Sequence, residues 1–210
     1  MNKKRTEITN KLLKWFETNG ENYPWRTTDN LYQILITEIL LQKTIASNVK
    51  NLFNKFFKKY KNFSAIHKTD VAELQADIEF LGLSNKRAQI LKDLSQLVVN
   101  EFDGVIPEEP EILKRIKGIA DYVSNAYLCF GLNKKTLFFD VNIKRFVSRI
   151  FGESKPKQAD IEEKLAILLP ESNCKNFYWA ILDFGSKICS KKNPKCELCP
   201  INNSCSYFGK

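Results

Sequence analysis

Apolar residues recur three and four apart along nearly all of this 210-residue chain, the links between such runs are short and rich in turn residues, and strand-type alternation is almost absent. These features predict an all-α fold of eight to ten short helices, and the length permits one domain or two. In order, the helical runs are "NKLLKWF", "LYQILITEILLQKT", "VKNLFNKFFKKY", "VAELQADIEFLG", "RAQILKDLSQLVVNEF", "PEILKRIKG", "DYVSNAYLCFG", "NIKRFVSRIFG" and "IEEKLAILLP". The links "ENYPW", "TTDN", "GLSNK", "FDGVIPEEP" and "GLNKK" carry turn chemistry, with Pro110 suited to a first helical turn. "TLFF" is the one apolar run without helical support. No repeat, low-complexity segment or long linker interrupts the pattern.

The charge balance points to a polyanion. Lys and Arg number 33 against 24 Asp and Glu, a net +9, which favours nucleic acid over an anionic membrane surface because no polybasic amphipathic anchor is present. The N-terminal "MNKKRTEITNKLLKWF" has no apolar core of signal-peptide length, and no run approaches the roughly 20 apolar residues that span a bilayer. A soluble, cytoplasmic protein without membrane association is expected. In that compartment structural disulfides are disfavoured.

Four of the 6 cysteines crowd the C-terminus, with Cys189, Cys196, Cys199 and Cys205 in Cys-x6-Cys-x2-Cys-x5-Cys spacing. Four thiolates suit either zinc or an iron–sulfur cluster, and the chemistry alone does not choose between them. His67, the only histidine, lies far upstream as a surface helix-end residue, which disfavours a mixed Cys/His site. Cys129 and Cys174 read as buried, inert thiols, and Trp25 as core.

Three stretches carry chemistry, each with a plainer alternative. In "IKGIADYVSNA" two helices flank Gly118 and Ala120; the start of the second presents free N–H groups to a phosphate, or the motif is an ordinary αα-hairpin. In "FFDVNIKRF" Asp140 opens a helix, as a simple N-cap or as a functional carboxylate oriented by Asn142, with Lys144 and Arg145 one turn on for phosphates. In "ITEILLQKT" Glu38 shares a helical face with Ile34, Leu35 and Leu41, as a rim residue reaching solvent or as a desolvated proton donor.

Taken in order, "YPWR", "ITEILLQKT", "GLSNKRA", "IKGIADYVSNA", "FFDVNIKRF" and the cysteine tail resemble the helix-hairpin-helix DNA glycosylases of the endonuclease III superfamily, from about Trp15 to Tyr207. The resemblance implies a six-helix barrel domain over 28–133 that ends in the hairpin. It implies an iron–sulfur domain from 1–27 plus 134–210, with the active site in the cleft between the two. A [4Fe–4S] cluster on the four tail cysteines would be structural, pinning a loop whose Lys187, Lys191, Lys192 and Lys195 face DNA. Asp140 would stabilise the sugar cation or activate water, opposite Glu38, which would bond or protonate the leaving base. Gly118, Ala120, Asn142 and Lys144 would meet the DNA. Lys43, preceded by Gln42, would fill the gap left by the extruded base.

Within the family, Tyr122 stands where bifunctional members carry the Schiff-base lysine, which implies a glycosylase without lyase activity. Absence of the Gly-Tyr-Tyr and Asp-Gly-Asn elements, and a chain that stops five residues after Cys205, imply action on thymine or uracil mispaired with guanine rather than on adenine opposite 8-oxoguanine. An adenine DNA glycosylase acting on adenine opposite 8-oxoguanine or guanine is the alternative, and a non-catalytic DNA-binding iron–sulfur protein is the lesser one. The implied partner is double-stranded DNA with a mismatched or damaged base, bound by a monomer associated with the nucleoid through DNA. Backbone-directed binding driven by the +9 charge predicts that log affinity for any duplex falls linearly with log salt, with a slope of about −0.9 per phosphate contacted. Fluorescence anisotropy across a potassium chloride series reads this, and salt-independent binding contradicts it.

Overall fold

The computed structural model describes residues 2–208, and the side chains of 6–208. Among these, eleven α-helices and no strand are found: α1 (Asn2–Asn19), α2 (Leu31–Leu41), α3 (Ala46–Lys59), α4 (Phe63–Lys68), α5 (Val71–Asp77), α6 (Ser84–Glu101), α7 (Pro110–Leu113), α8 (Asp121–Phe130), α9 (Val141–Phe151), α10 (Gln158–Leu168) and α11 (Cys174–Lys187). The all-α expectation holds, but the number exceeds eight to ten. Of the two helices that periodicity misses, α4 is only 6 residues long. The other, α11, buries Phe177, Tyr178, Trp179, Ala180, Ile181 and Phe184, so its apolar residues form no single stripe. No described helix is long and apolar enough to cross a membrane.

The chain forms two compact units, Asn22–Leu132 and Met1–Glu21 with Asn133–Lys210. In Asn22–Leu132, α2 is buried from Ile34 to Leu40 and packs against α3, α6 and α8. Asn30 starts it, its side chain accepting the Gln33 N–H at 3.2 Å. α3 is strongly two-faced: Val49, Leu52, Phe53, Phe56 and Phe57 point inward while Lys55, Lys58 and Lys59 stay outside. Asn62 caps α4 at 2.9 Å through the Ala65 N–H. The "YPWR" segment belongs to this unit, because buried Trp25 stacks on Tyr23 with ring centroids 4.5 Å apart and joins the core around Phe53.

In the other unit, α1 lies along α10 and α11. Ile8 and Leu12 are buried, Trp15 meets Phe184 edge-on at 5.0 Å, and the Thr9 hydroxyl donates to the Leu168 carbonyl at 2.8 Å. "TLFF" is an extended connector. Phe138 stacks on Tyr178 at 3.9 Å, and the Tyr178 hydroxyl donates to the Thr136 carbonyl at 2.9 Å. Side-chain packing therefore delivers the chain to the start of α9 without a ladder. Cys174 here and Cys129 in Asn22–Leu132 are both buried.

Phe56 is fully enclosed, whereas Phe80 is 57% exposed. Phe56→Ala should cost about 3–5 kcal/mol, and Phe80→Ala should stay within about 0.5 kcal/mol. Urea unfolding followed by circular dichroism distinguishes the two.

Candidate active site and cysteine loop

In Asn22–Leu132 the hairpin between α7 and α8 is closed by the Ile119 N–H on the Ile116 carbonyl at 2.9 Å. Gly118 sits at φ +113, and a Cβ there would fall 2.4 Å from Cδ1 of Ile90 on α6. Both the backbone angle and the close approach of α6 demand glycine. Ala120 needs no such freedom: it is the extended N-cap of α8, at φ −105 and ψ −179. The first N–H groups of α8 have no carbonyl within the helix, the arrangement that lets a helix start hold an anion. Asp121 sits in that first turn, and Lys114 bridges it at 2.9 Å while pairing Glu111 at 2.6 Å.

The end of α2 is tied to this hairpin. Gln42 donates through Nε2 to the Gly118 carbonyl at 3.0 Å, so part of its side chain serves the fold. Lys43 follows, exposed and at φ 54. One turn earlier, Glu38 is 4% exposed, which excludes a carboxylate reaching solvent from the rim. Tyr122 is half-buried at the second position of α8.

In the other unit, Asp140 caps α9. Its Oδ1 accepts the Asn142 and Ile143 N–H groups, both at 2.8 Å, and its Oδ2 accepts from Asn142 Nδ2 at 2.7 Å. Capping occupies one oxygen fully; Oδ2 keeps acceptor capacity, so the cap leaves room for a chemical role. The Asn142 Oδ1 in turn accepts from Arg145 Nη2 at 3.0 Å. That guanidinium also donates to the Gly185 carbonyl at 3.0 Å and, through Nε, to the Cys189 carbonyl at 3.0 Å. A side chain at 185 would crowd it, since a Cβ would lie 3.1 Å from Arg145 Nη2. Arg145 is thus turned inward and is not a phosphate ligand, a correction to the expectation from sequence. Lys144 is exposed, its ammonium 4.7 Å from the Phe139 ring.

The hydrogen-bonded chain from Asp140 ends at the cysteine loop. None of the tail cysteines forms a disulfide. Among the described residues no group of three or more His, Cys, Asp or Glu side chains forms a site for a metal ion. The four thiols instead stand round one cavity, with Arg149, Ile188 and Tyr207 in its wall. Burial first, and the neighbouring thiols after it, push the Cys199 thiol up to about 11, and burial also raises that of Cys196. Arg149 donates to the Cys189 sulfur at 3.2 Å and to the Ser190 carbonyl at 2.8 Å, and it covers the Tyr207 ring at 4.5 Å. Lys191, Lys192 and Lys195 are exposed, but Lys187 is engaged with Glu21 at 2.7 Å and the Asn19 carbonyl at 2.6 Å. Arg87 and Arg149 escape a reading of sequence, and so does the inward role of Arg145. Arginine in a basic helix looks like surface charge, and only packing shows these three turned inward.

Gly118→Ala should destabilise the protein by about 1–3 kcal/mol. Ile90→Val in the same chain should return part of that loss by removing the Cδ1 overlap, leaving the backbone strain. A double-mutant cycle in urea checks the sign of the coupling.

A model of the HhH-GPD superfamily of base excision DNA repair proteins matches residues 36–171. A thymine/uracil-DNA glycosylase of Methanothermobacter thermautotrophicus is 38% identical over 100% of this chain and 96% of its own length. One from Pyrobaculum aerophilum is 32% identical over 98% and 93%. The solved structure of a thermostable thymine-DNA glycosylase superposes with a TM-score of 0.92 at 38% identity, covering 99% of this chain and 97% of that one.

Proposed function

The chain belongs to the HhH-GPD superfamily of base excision DNA repair proteins, and on that premise we propose that it releases thymine or uracil mispaired with guanine and leaves the DNA strand unbroken. It is a DNA glycosylase, an enzyme that hydrolyses the N-glycosidic bond. The specificity rests on the names of its relatives, and the chemistry rests on one observation: Asp140 is a carboxylate clamped by three N–H donors with lone pairs to spare.

Hydrolysis breaks the bond between C1′ and the base nitrogen. Positive charge develops on the sugar as the base departs, and a fixed anion facing C1′ lowers that barrier. Asp140 supplies the anion. Asn142 and the start of α9 hold it, so no reorganisation is needed as charge appears. Water delivers hydroxide to C1′, and its proton is matched by the one the base acquires. Glu38, desolvated on α2, bonds or protonates the leaving base. Tyr122 in place of a lysine removes the amine that would form a Schiff base, so the abasic site is released intact. A mispaired base is easier to extrude than a paired one, which favours mismatches without a chemically distinct lesion. Lys43, at the apex of its turn, fills the gap. The hairpin and Lys144, Lys191, Lys192 and Lys195 hold phosphates.

The cysteine loop fits a [4Fe–4S] cluster. Cys189, Cys196, Cys199 and Cys205 line one cavity and would hold the cluster through four thiolates, the donor set such a cluster takes. When bound, the cluster would supply no bond-breaking chemistry and would pin the loop whose carbonyls accept from Arg145 and Arg149.

Asp140→Asn should slow single-turnover release of thymine or uracil opposite guanine by about 10²–10³-fold. Duplex affinity and the unfolding midpoint should hold, because Asn caps a helix as well as Asp. Strand cleavage should appear only after alkali. Near-wild-type turnover would leave Asp140 a cap alone, and faster release of adenine opposite 8-oxoguanine by the wild type would reassign the substrate. Protein purified without air should be brown and carry about four iron and four sulfide per chain, and stoichiometric zinc would contradict the cluster.

A further inference from the structure

The link from α2 to α3 is a type II turn. Gln42 lies at φ −55 and ψ 115, Lys43 at φ 54, and the Thr44 N–H returns to the Leu41 carbonyl at 3.1 Å. The position Lys43 occupies in such a turn favours glycine, and a lysine persists there only when its surroundings hold it. The same backbone strain recurs at Leu83, which precedes α6 at φ 50 with its side chain 54% exposed.

One side chain grips both turns. Arg87 is 2% exposed. Its Nη1 donates to the Leu81 carbonyl at 3.0 Å and to the Gly82 carbonyl, and its Nη2 donates to the Gln42 carbonyl and the Thr44 hydroxyl. Thr44 completes the joint by donating to the Leu81 carbonyl at 3.3 Å. No carboxylate is among the partners of Arg87, and its Nε has none. A buried cation without a counter-charge is an expensive way to fill space, and an apolar side chain of similar volume would pack at lower cost. Its planar fork donates to two carbonyl-bearing turns at once.

We propose that Arg87 is a positioning residue for base extrusion: resting on the glycosylase reading above, it locks the Lys43 turn and, through the Gln42 bond to the Gly118 carbonyl, the hairpin, in their DNA-engaging form before DNA arrives. Binding then spends nothing on ordering these turns, and its free energy goes to distorting the duplex.

Arg87→Lys keeps the charge but cannot make the fork. Thr44→Val removes one acceptor and is the variant to use if Arg87→Lys does not fold. With uracil opposite guanine, Arg87→Lys should excise some tenfold to a hundredfold more slowly. With uracil opposite an abasic analogue, where no pair must be broken, the loss should shrink to within about threefold. An equal loss on both substrates would mean general damage to the fold and overturn the proposal, as would no loss on either. Stopped-flow fluorescence of 2-aminopurine placed beside a uracil opposite guanine, with a 2′-fluoro sugar that resists hydrolysis, reads extrusion without any excision. It should slow by a similar factor in Arg87→Lys, and unchanged traces overturn the proposal. That arm decides even if the wild type releases neither thymine nor uracil, an outcome that would sink the glycosylase reading alone.

Discussion

Arg145 is the joint on which the unit of Met1–Glu21 and Asn133–Lys210 depends. Its guanidinium takes the side chain of Asn142, the carbonyl of Gly185 and the carbonyl of Cys189, so the start of α9, the last turn of α11 and the entry to the cysteine loop share one set of hydrogen bonds. Asp140 is two bonds away, held by Asn142. Charge-assisted bonds of this kind are roughly twice as strong as neutral ones. They are useful here only because Gly185 leaves room for the guanidinium. A carboxylate that faces a developing cation, the role proposed for Asp140, gains most from being immobile. The cysteine loop supplies that immobility from behind, with Arg149 closing the same loop from the next turn of α9.

The unit of Asn22–Leu132 meets a related demand by another route. α2 is so deeply buried that its C-terminal end cannot shift without disturbing α3, α6 and α8. Its last carbonyls point toward the end where a cation is favoured by the helix dipole, and Arg87 lies there. Gly118 packs against Ile90, one turn along α6 from Arg87. One face of α6 therefore backs the Lys43 turn and the hairpin together. Backbone strain at Lys43 and Leu83 is tolerable because the surrounding bonds leave those residues nowhere else to go. Both units thus place an inward arginine behind a segment that it holds by hydrogen bonds.

Much of this was legible from residue order. Periodicity located nine of the eleven helices; α4 was too short to register, and α11 was apolar on too many sides to show a stripe. Spacing marked the cysteines, the hairpin glycine and Asp140, because thiol ligation, positive φ and helix capping each require particular residue types at particular offsets. By itself the sequence determined an all-α fold, a basic surface and the segments that carry chemistry. Tertiary structure alone decided that Glu38 is buried, that Lys187 is paired, that Ala120 sits in ordinary extended backbone, and that Arg87 and Arg145 face inward. The reason is that local periods specify which residues share a helix face. Whether a charged side chain on that face meets water or a set of carbonyls depends on chain segments tens of residues away, and on glycines such as Gly185 that open space for it.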